Sequence, residues 1–238
     1  MRLAALLLAI ALPVAADARH PHAPRPPAAT VILDGVATPV RWTDGDTFRI
    51  EGGTYRGILA RLVGYNTLES YGPVHRWGGW TREELLALAN AAAPVASSRA
   101  WTCAGGGGAD RYRRLLVRCP DLARELVGRG LAMVFAVDAP ADPGLVALQR
   151  EAQRAGGGMW AKGVPPHLPT GVHSVAENDG GPTYDRVVDT ATGEAQRWPH
   201  RRAYRVCEEV CAGEGAGRAC MLYVPHRRTY KNRPWCLR

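Results

Sequence analysis

The chain has 238 residues, 46% of them hydrophobic, which is room for one ample domain with a core and a small second unit. A formal net charge of +8 points to polyanionic partners, either nucleic acid or an anionic cell-surface polymer. Past the N-terminal stretch no run is long and uncharged enough to cross a bilayer, which excludes an integral membrane protein and leaves a soluble mature chain as the expectation.

Residues 1–18 read as a secretory signal peptide, with Arg2 as the basic start, an apolar stretch over 3–14 and the small-residue cleavage site Ala16-Asp17-Ala18. The expected location is therefore exported, in the periplasm or outside the cell. Residues 19–30 hold His-Pro and Pro-Arg-Pro-Pro and read as an extended linker, in which His20 and His22 are better explained as solvated than as a metal site.

From Val31 the pattern turns strand-like, with β-branched and apolar runs at 40–42, 47–50 and 58–63. Asp44-Gly45 and Gly52-Gly53 mark turns, and the first two runs predict a hairpin whose mouth holds Asp44 and Asp46. Thr81-Arg-Glu-Glu84 is a capping box that opens a helix running through Ala93 and stopping at Pro94. Strands at 96–103 and 115–119 flank the glycine run 105–108, which lacks the Lys-Ser/Thr of a phosphate-binding loop and reads as a hairpin tip. Pro120 starts a short second helix, and Asp142-Pro143 caps a third that ends at the glycines 156–158.

Residues 164–183 read as a linker, proline-rich and stiff at first, then polar and mobile. The remainder, 184–238, is a basic cysteine-rich module with strand-like pieces at 204–206 and 221–224 and a core too small to hold without cross-links. Here Arg197, Arg201, Arg202, Arg205, Arg227, Arg228, Lys231 and Arg233 are interleaved with Trp198, Tyr204, Tyr223, Tyr230 and Trp235. Two readings stand: a surface for single-stranded nucleic acid, or a small domain whose aromatics are core and whose charges are solvated.

The six cysteines are even in number, which in an exported chain favours disulfides. Cys103 and Cys119 flank one hairpin and are expected to pair, and Cys207, Cys211, Cys220 and Cys236 to pair among themselves. The rival is a zinc site from the last four with His200 or His226, but the spacings lack paired C-x-x-C knuckles.

The chemistry concentrates in Asp44-Gly45-Asp46-Thr47, then Arg61, Asn66-Thr67-Leu68-Glu69, then Asp110-Arg111-Tyr112-Arg113-Arg114. Oxygen donors for a hard cation, a separate carboxylate and two arginines suit attack on a phosphodiester. In this order the residues resemble the staphylococcal (micrococcal) nuclease, or thermonuclease, family, over residues 40–160. The resemblance implies an α+β fold for residues 31–163, a five-stranded OB-type β-barrel with three packed helices, followed by the disulfide-rich C-terminal extension.

The resemblance also implies roles. Asp46, Asn66 and the Thr67 carbonyl would bind Ca²⁺, with Asp44 supporting them from behind. Glu69 would be the general base, and Arg61 and Arg114 would grip the phosphate. Arg111 and Tyr112 would contact nucleic acid. The expected activity is calcium-dependent endonucleolytic hydrolysis of DNA and RNA by a monomer with little sequence preference, the alternatives being a non-catalytic nucleic-acid-binding OB domain or an envelope-associated binding module.

Five positions depart from the family pattern. Asn66 stands for an aspartate, Leu68 for a proline, Arg113 for a glycine, and Ala136 and Asp138 for stacking tyrosines, while Phe135 beside them is expected in the core.

Overall fold

The computed structural model describes residues 28–225 and 233–237. The signal-peptide reading, most of the linker reading, and His226, Arg227, Arg228, Tyr230 and Lys231 lie outside the described residues. The fold is mixed α+β. Its largest element is a six-stranded sheet curled into a half-barrel, built around the meander β1 (Ala28–Leu33), β2 (Val36–Trp42), β3 (Thr47–Ile50) and β4 (Leu59–Leu62).

Alternation along these strands turns Val31, Leu33, Val40, Trp42, Phe48, Ile50, Ala60 and Leu62 inward, where each is at most 5% exposed. Short parallel strands complete the two edges: β7 (Trp101–Cys103) beside β1 and β8 (Leu115–Val117) beside β4. The open side is closed by the pair β5 (Gly64–Thr67) and β9 (Ala132–Phe135) and by three helices, α1 (Arg82–Ser97), α2 (Pro120–Gly128) and α3 (Pro143–Arg154).

The helices begin where the sequence places them. Thr81 Oγ1 accepts from the Glu84 amide at 3.2 Å, and Glu84 Oε2 accepts from the Thr81 amide at 2.9 Å, which closes the capping box. Asp142 Oδ1 accepts from the amides of Gly144 and Leu145 at the start of α3. One boundary differs from expectation: α1 runs past Pro94 to Ser97, and the strand expected from Ala96 begins only at Trp101. Ala92 and Ala96, both fully buried one turn apart, pack that last turn onto the curled sheet, which outweighs the single hydrogen bond Pro94 cannot make.

The C-terminal part is built onto this body. Strand β6 (His75–Trp77) pairs with β14 (Ala219–Leu222), which pairs with β13 (Glu209–Ala212). A second three-stranded sheet comprises β10 (His167–Gly171), β11 (Thr183–Asp189) and β12 (Ala195–His200). Leu168 and Val188 of this sheet share a core with Leu85 of α1, Met133 of β9 and Trp160.

The stretch 164–183, expected as a linker that is stiff at first and then mobile, contributes β10. It also buries Ser174 completely, with Ser174 Oγ accepting from the Tyr204 amide at 3.0 Å. The piece at 204–206, expected as a strand, is irregular, because Tyr204 turns inward to that hydrogen bond and to Asp185 Oδ2 at 2.7 Å.

All six cysteines are paired: Cys103 with Cys119, Cys207 with Cys236 and Cys211 with Cys220. The Cys207–Cys236 bridge lies in the small tail core around Val210, Tyr204, Tyr223 and Leu237, and Cys211–Cys220 ties β13 to β14 where the two residues are directly opposite, cross-links that supply what burial alone cannot. Glu209 lies close to Cys211 and Cys220, but with both sulfurs in a disulfide the trio offers no thiolate to zinc. Three disulfides fit an oxidising compartment. Among the described residues no helix is long and apolar enough to cross a membrane.

Candidate active site

The Asp-Gly-Asp run is itself the turn of the β2–β3 hairpin; Gly52-Gly53 belongs to the next connection, between β3 and β4. The Asp44 carboxylate folds back to accept from the Asp46 amide at 3.0 Å, a local bond that aspartate turns commonly make. Glycine is required between them: a Cβ on Gly45 would meet Ala92 Cβ at 2.5 Å and Thr67 Cγ2 at 2.6 Å. The Tyr65 hydroxyl, fully buried, donates to the Gly45 carbonyl at 2.9 Å and pins the turn against β5.

This packing puts Asp46 in the interior at 3% exposure, where an unpaired carboxylate would be costly. It is compensated on both oxygens. Oδ2 accepts from the Thr67 amide at 2.8 Å and the Thr67 hydroxyl at 3.1 Å. Oδ1 accepts from the Thr47 hydroxyl at 3.0 Å and pairs with the Arg61 guanidinium. The β3–β4 register explains the ion pair, because Thr47 sits opposite Arg61.

The second guanidinium nitrogen donates to Asn66 Oδ1, and Asn66 Nδ2 in turn donates to the Thr67 carbonyl at 2.8 Å. Burial pushes Asp46 toward its neutral form, but Arg61 and the donors around it win, and its pKa lies below the usual carboxylate value. Asp44 goes the other way, raised well above the usual value by burial and then by the charge on Asp46.

Glu69, half-buried just after β5, is held by its main chain: its amide donates to His75 Nε2 at 3.3 Å. Its charge adds to the field that keeps Arg61 ionised, against burial and alongside Asp46 and Asp44. On the far side Arg114 is clasped by Asp110, with Nε at 2.7 Å from Oδ2 and its own amide donating to Oδ1 at 2.9 Å. Arg113, where the resembling family has glycine, has φ = +62°, so the left-handed backbone is kept despite the side chain. Tyr112 is 47% exposed, with Arg111 and Arg114 over its ring at 4.7 and 5.5 Å.

All nine residues singled out in the sequence (Asp44, Asp46, Arg61, Asn66, Thr67, Glu69, Arg111, Tyr112 and Arg114) line one cleft of about 1020 Å³. Ala136 and Asp138 line it too, as does Phe135, which is half-buried against the second core.

Sequence reasoning missed His75 behind Glu69 and the cleft's opposite wall, where β11 and β12 present Tyr184, Arg186 and Arg197. Only Arg197 carried a signal, as part of the basic-aromatic tail. Of that tail, Tyr204 and Tyr223 are core, as the small-domain reading has it, and Trp235 is 73% exposed.

The donors suit a hard cation in kind. One carboxylate, one amide oxygen and one carbonyl belong to a single hydrogen-bonded cluster, and oxygen donors of these kinds are what such an ion takes. They are also engaged with one another and with Arg61, whose charge already neutralises Asp46. An ion at these oxygens would need Arg61 to withdraw from Asp46 and Asn66. Compared with known proteins, the chain matches no family model and no curated protein.

Proposed function

We propose that the protein is an exported thermonuclease-like phosphodiesterase that cleaves DNA and RNA, and that its curled sheet with β5 and β9 corresponds to an OB-type barrel. The observation that carries the reading is the gathering of Asp46, Arg61, Asn66, Thr67, Glu69 and Arg114 on one cleft from four separate stretches of sequence. Strand pairing alone does not require an acid, an amide and an arginine to meet in the interior. Phosphodiester hydrolysis has a use for each of them: a cation ligand, a carboxylate and a phosphate-gripping guanidinium.

In this reading Glu69 takes a proton from water as its oxygen attacks phosphorus. The bond from phosphorus to the 5′ oxygen breaks and the departing oxygen takes a proton from solvent water, leaving a 3′-phosphate and a 5′-hydroxyl. Arg61 and Arg114 donate to the phosphoryl oxygens as negative charge gathers there, for which a planar guanidinium with paired donors is suited. Arg61 must then divide its donors between Asp46 and substrate, and Arg114 between Asp110 and substrate. Ca²⁺, held by Asp46, Asn66 and the Thr67 carbonyl, would supply further positive charge beside the phosphate.

One observation favours the alternative of a non-catalytic binding domain: Arg61 engages the same oxygens an ion would need. Plasmid nicking by the oxidised protein with Ca²⁺ or with chelator separates the two. Cleavage with Ca²⁺, abolished by chelator and reduced by about 10²–10⁴ in Glu69→Gln, is the expected result. No cleavage in any divalent metal, with plasmid still bound, would establish the binding domain instead.

A further inference from the structure

The wall facing the catalytic residues across the cleft carries its own recognition surface. Tyr184 and Arg186 are two apart on β11 and share a face, and Arg197 lies directly opposite Arg186 on β12. Both guanidiniums sit over the Tyr184 ring, each with its carbon 5.5 Å from the centroid. Arg111 reaches across from the turn before β8 to donate to the Tyr184 hydroxyl at 3.3 Å and to the Tyr112 hydroxyl at 2.6 Å. Two tyrosines and three arginines from separate sheets thus form one continuous patch.

Two features of this patch are costly unless an anion completes it. Like charges directly opposite on antiparallel strands repel, and Arg186 and Arg197 are such a pair. Their countercharges are also few. Among the described residues Arg111 and Arg186 have no carboxylate partner, and Arg186 Nη1 is buried with no acceptor. Arg197 has Asp138 at 3.7 Å, with both side chains more than half exposed. Apart from Asp44, Asp46 and Glu69, the other acids lining the cleft are engaged elsewhere: Asp110 with Arg114, Asp142 with the first amides of α3, and Glu177 beside His173 at 3.4 Å. The burial that would raise the Tyr184 phenol is outweighed by Arg186, Arg111 and Arg197, and its pKa falls below the usual value.

We propose that Tyr184, Arg186 and Arg197, together with Arg111 and Tyr112, bind a single strand of nucleic acid alongside the scissile phosphate. The arginines take backbone phosphates, and the tyrosine and guanidinium faces stack bases. A purely anionic polymer would use the charges and leave the rings idle. A duplex hides its base faces. The β10–β12 sheet is therefore the part of the chain that selects unpaired strands. This deepens the nuclease reading and rests on it for the position of the scissile phosphate, but the binding it predicts is measurable without cleavage.

The test is fluorescence anisotropy of labelled (dT)10 and (dT)2 in chelator over a series of salt concentrations. Arg186→Gln with Arg197→Gln should weaken (dT)10 binding by about 10-fold or more. The same pair should reduce the salt slope by about 1.4, at roughly 0.7 per lost phosphate contact. Tyr184→Leu should weaken (dT)10 by about 10-fold with little change in slope. Arg154→Gln, which removes an exposed charge at the end of α3, should change affinity less than 2-fold.

Equal losses in Arg154→Gln and the cleft variants would overturn the proposal, reducing the effect to net charge. So would full (dT)10 affinity in Tyr184→Leu, which would make the wall a general polyanion surface. If the double variant loses its near-ultraviolet signature, Arg197→Gln alone, on a half-exposed strand, carries the test, and unchanged affinity there overturns the proposal. Failure of the nuclease reading shows instead in the plasmid assay, as cleavage that survives Glu69→Gln or never occurs.

Discussion

His75 joins the fold's stability to the position of Glu69, and its effect can be worked out. It is 3% exposed on β6, the strand that links the tail sheet to the body, and its Nε2 accepts from the Glu69 amide. Burial, with the nearby Arg82 charge adding to it, lowers its pKa from 6.5 to about 3. The charge acting on the ring is thus that of Arg82 from α1. A lowered histidine pKa means the unfolded chain binds a proton that the folded chain refuses. Stability is therefore full above pH 6.5 and is lost as pH falls. Between pH 7.5 and pH 5 the loss is about 2 kcal/mol, and by pH 4 about 3 kcal/mol.

His75→Gln keeps an acceptor for the Glu69 amide and does not titrate. Urea unfolding of parent and variant at pH 7.5, 6 and 5 should show the midpoints converging as pH falls, with the difference between the two proteins changing by about 2 kcal/mol. His75→Phe also removes the acceptor, so its cleavage rate should fall at pH 7.5 while His75→Gln holds most of the rate. Parallel pH profiles for parent and His75→Gln would refute the reasoning, because they would mean the imidazole titrates alike in both states.

Two further expectations concern the departures from the family pattern. Asn66→Asp puts a carboxylate where the amide oxygen now faces Arg61 and frees the Thr67 carbonyl, so calorimetry should find calcium bound about 10-fold tighter; equal or weaker affinity would remove Asn66 from the ion's shell. Arg113→Gly relieves a side chain held at φ = +62°, worth about 1–2 kcal/mol before glycine's entropy is subtracted, so denaturation should show a net gain of about 0.5–1 kcal/mol with cleavage little changed. Arg114→Ala should lose about 3–4 kcal/mol of transition-state stabilisation, read from kcat/KM, and the reverse ranking of the two arginines would move the phosphate contact to Arg113.

Local chemistry was legible in the sequence wherever the partners are close in the chain. Thr81 meets Glu84, Asp142 meets Gly144, and Cys103 meets Cys119 across one hairpin, because short loops leave few alternatives. The nine cleft residues were legible too, though through their order rather than any pattern of burial.

What stayed hidden depends on pairing over long separations. Nothing local to residues 164–171 shows that β10 will find β11, or that β14 will pair with β6 more than 130 residues before it. The same applies to Tyr184 and Arg186, which carry no signal in the sequence and gain a role only when that sheet lines the cleft. Pro94 misled because a helix terminator is a local signal, and the buried alanines on either side of it act through tertiary packing.

Two carboxyl groups one residue apart in a buried turn cannot both ionise without a nearby cation. Asp46 carries the charge because Arg61 and the Thr67 amide are aimed at it, and Asp44 is driven toward its neutral form. At rest the Asp46 carboxylate is paired with the Arg61 guanidinium, while burial and the charge on Asp46 shift Asp44 toward its neutral form. An aspartate at position 66 would set two carboxylates around that single arginine; Asn66 keeps the pair neutral and still accepts from Arg61. Under the proposed function an incoming phosphodiester adds a negative charge and draws on the same guanidinium. Asp46 then loses part of its partner inside the protein, where a broken buried ion pair costs about 3–5 kcal/mol. Occupation of Asp46 by a divalent cation and of Arg61 by phosphate would therefore favour each other. When neither is bound, Asn66 accepts from Arg61 without placing a second carboxylate beside Asp46.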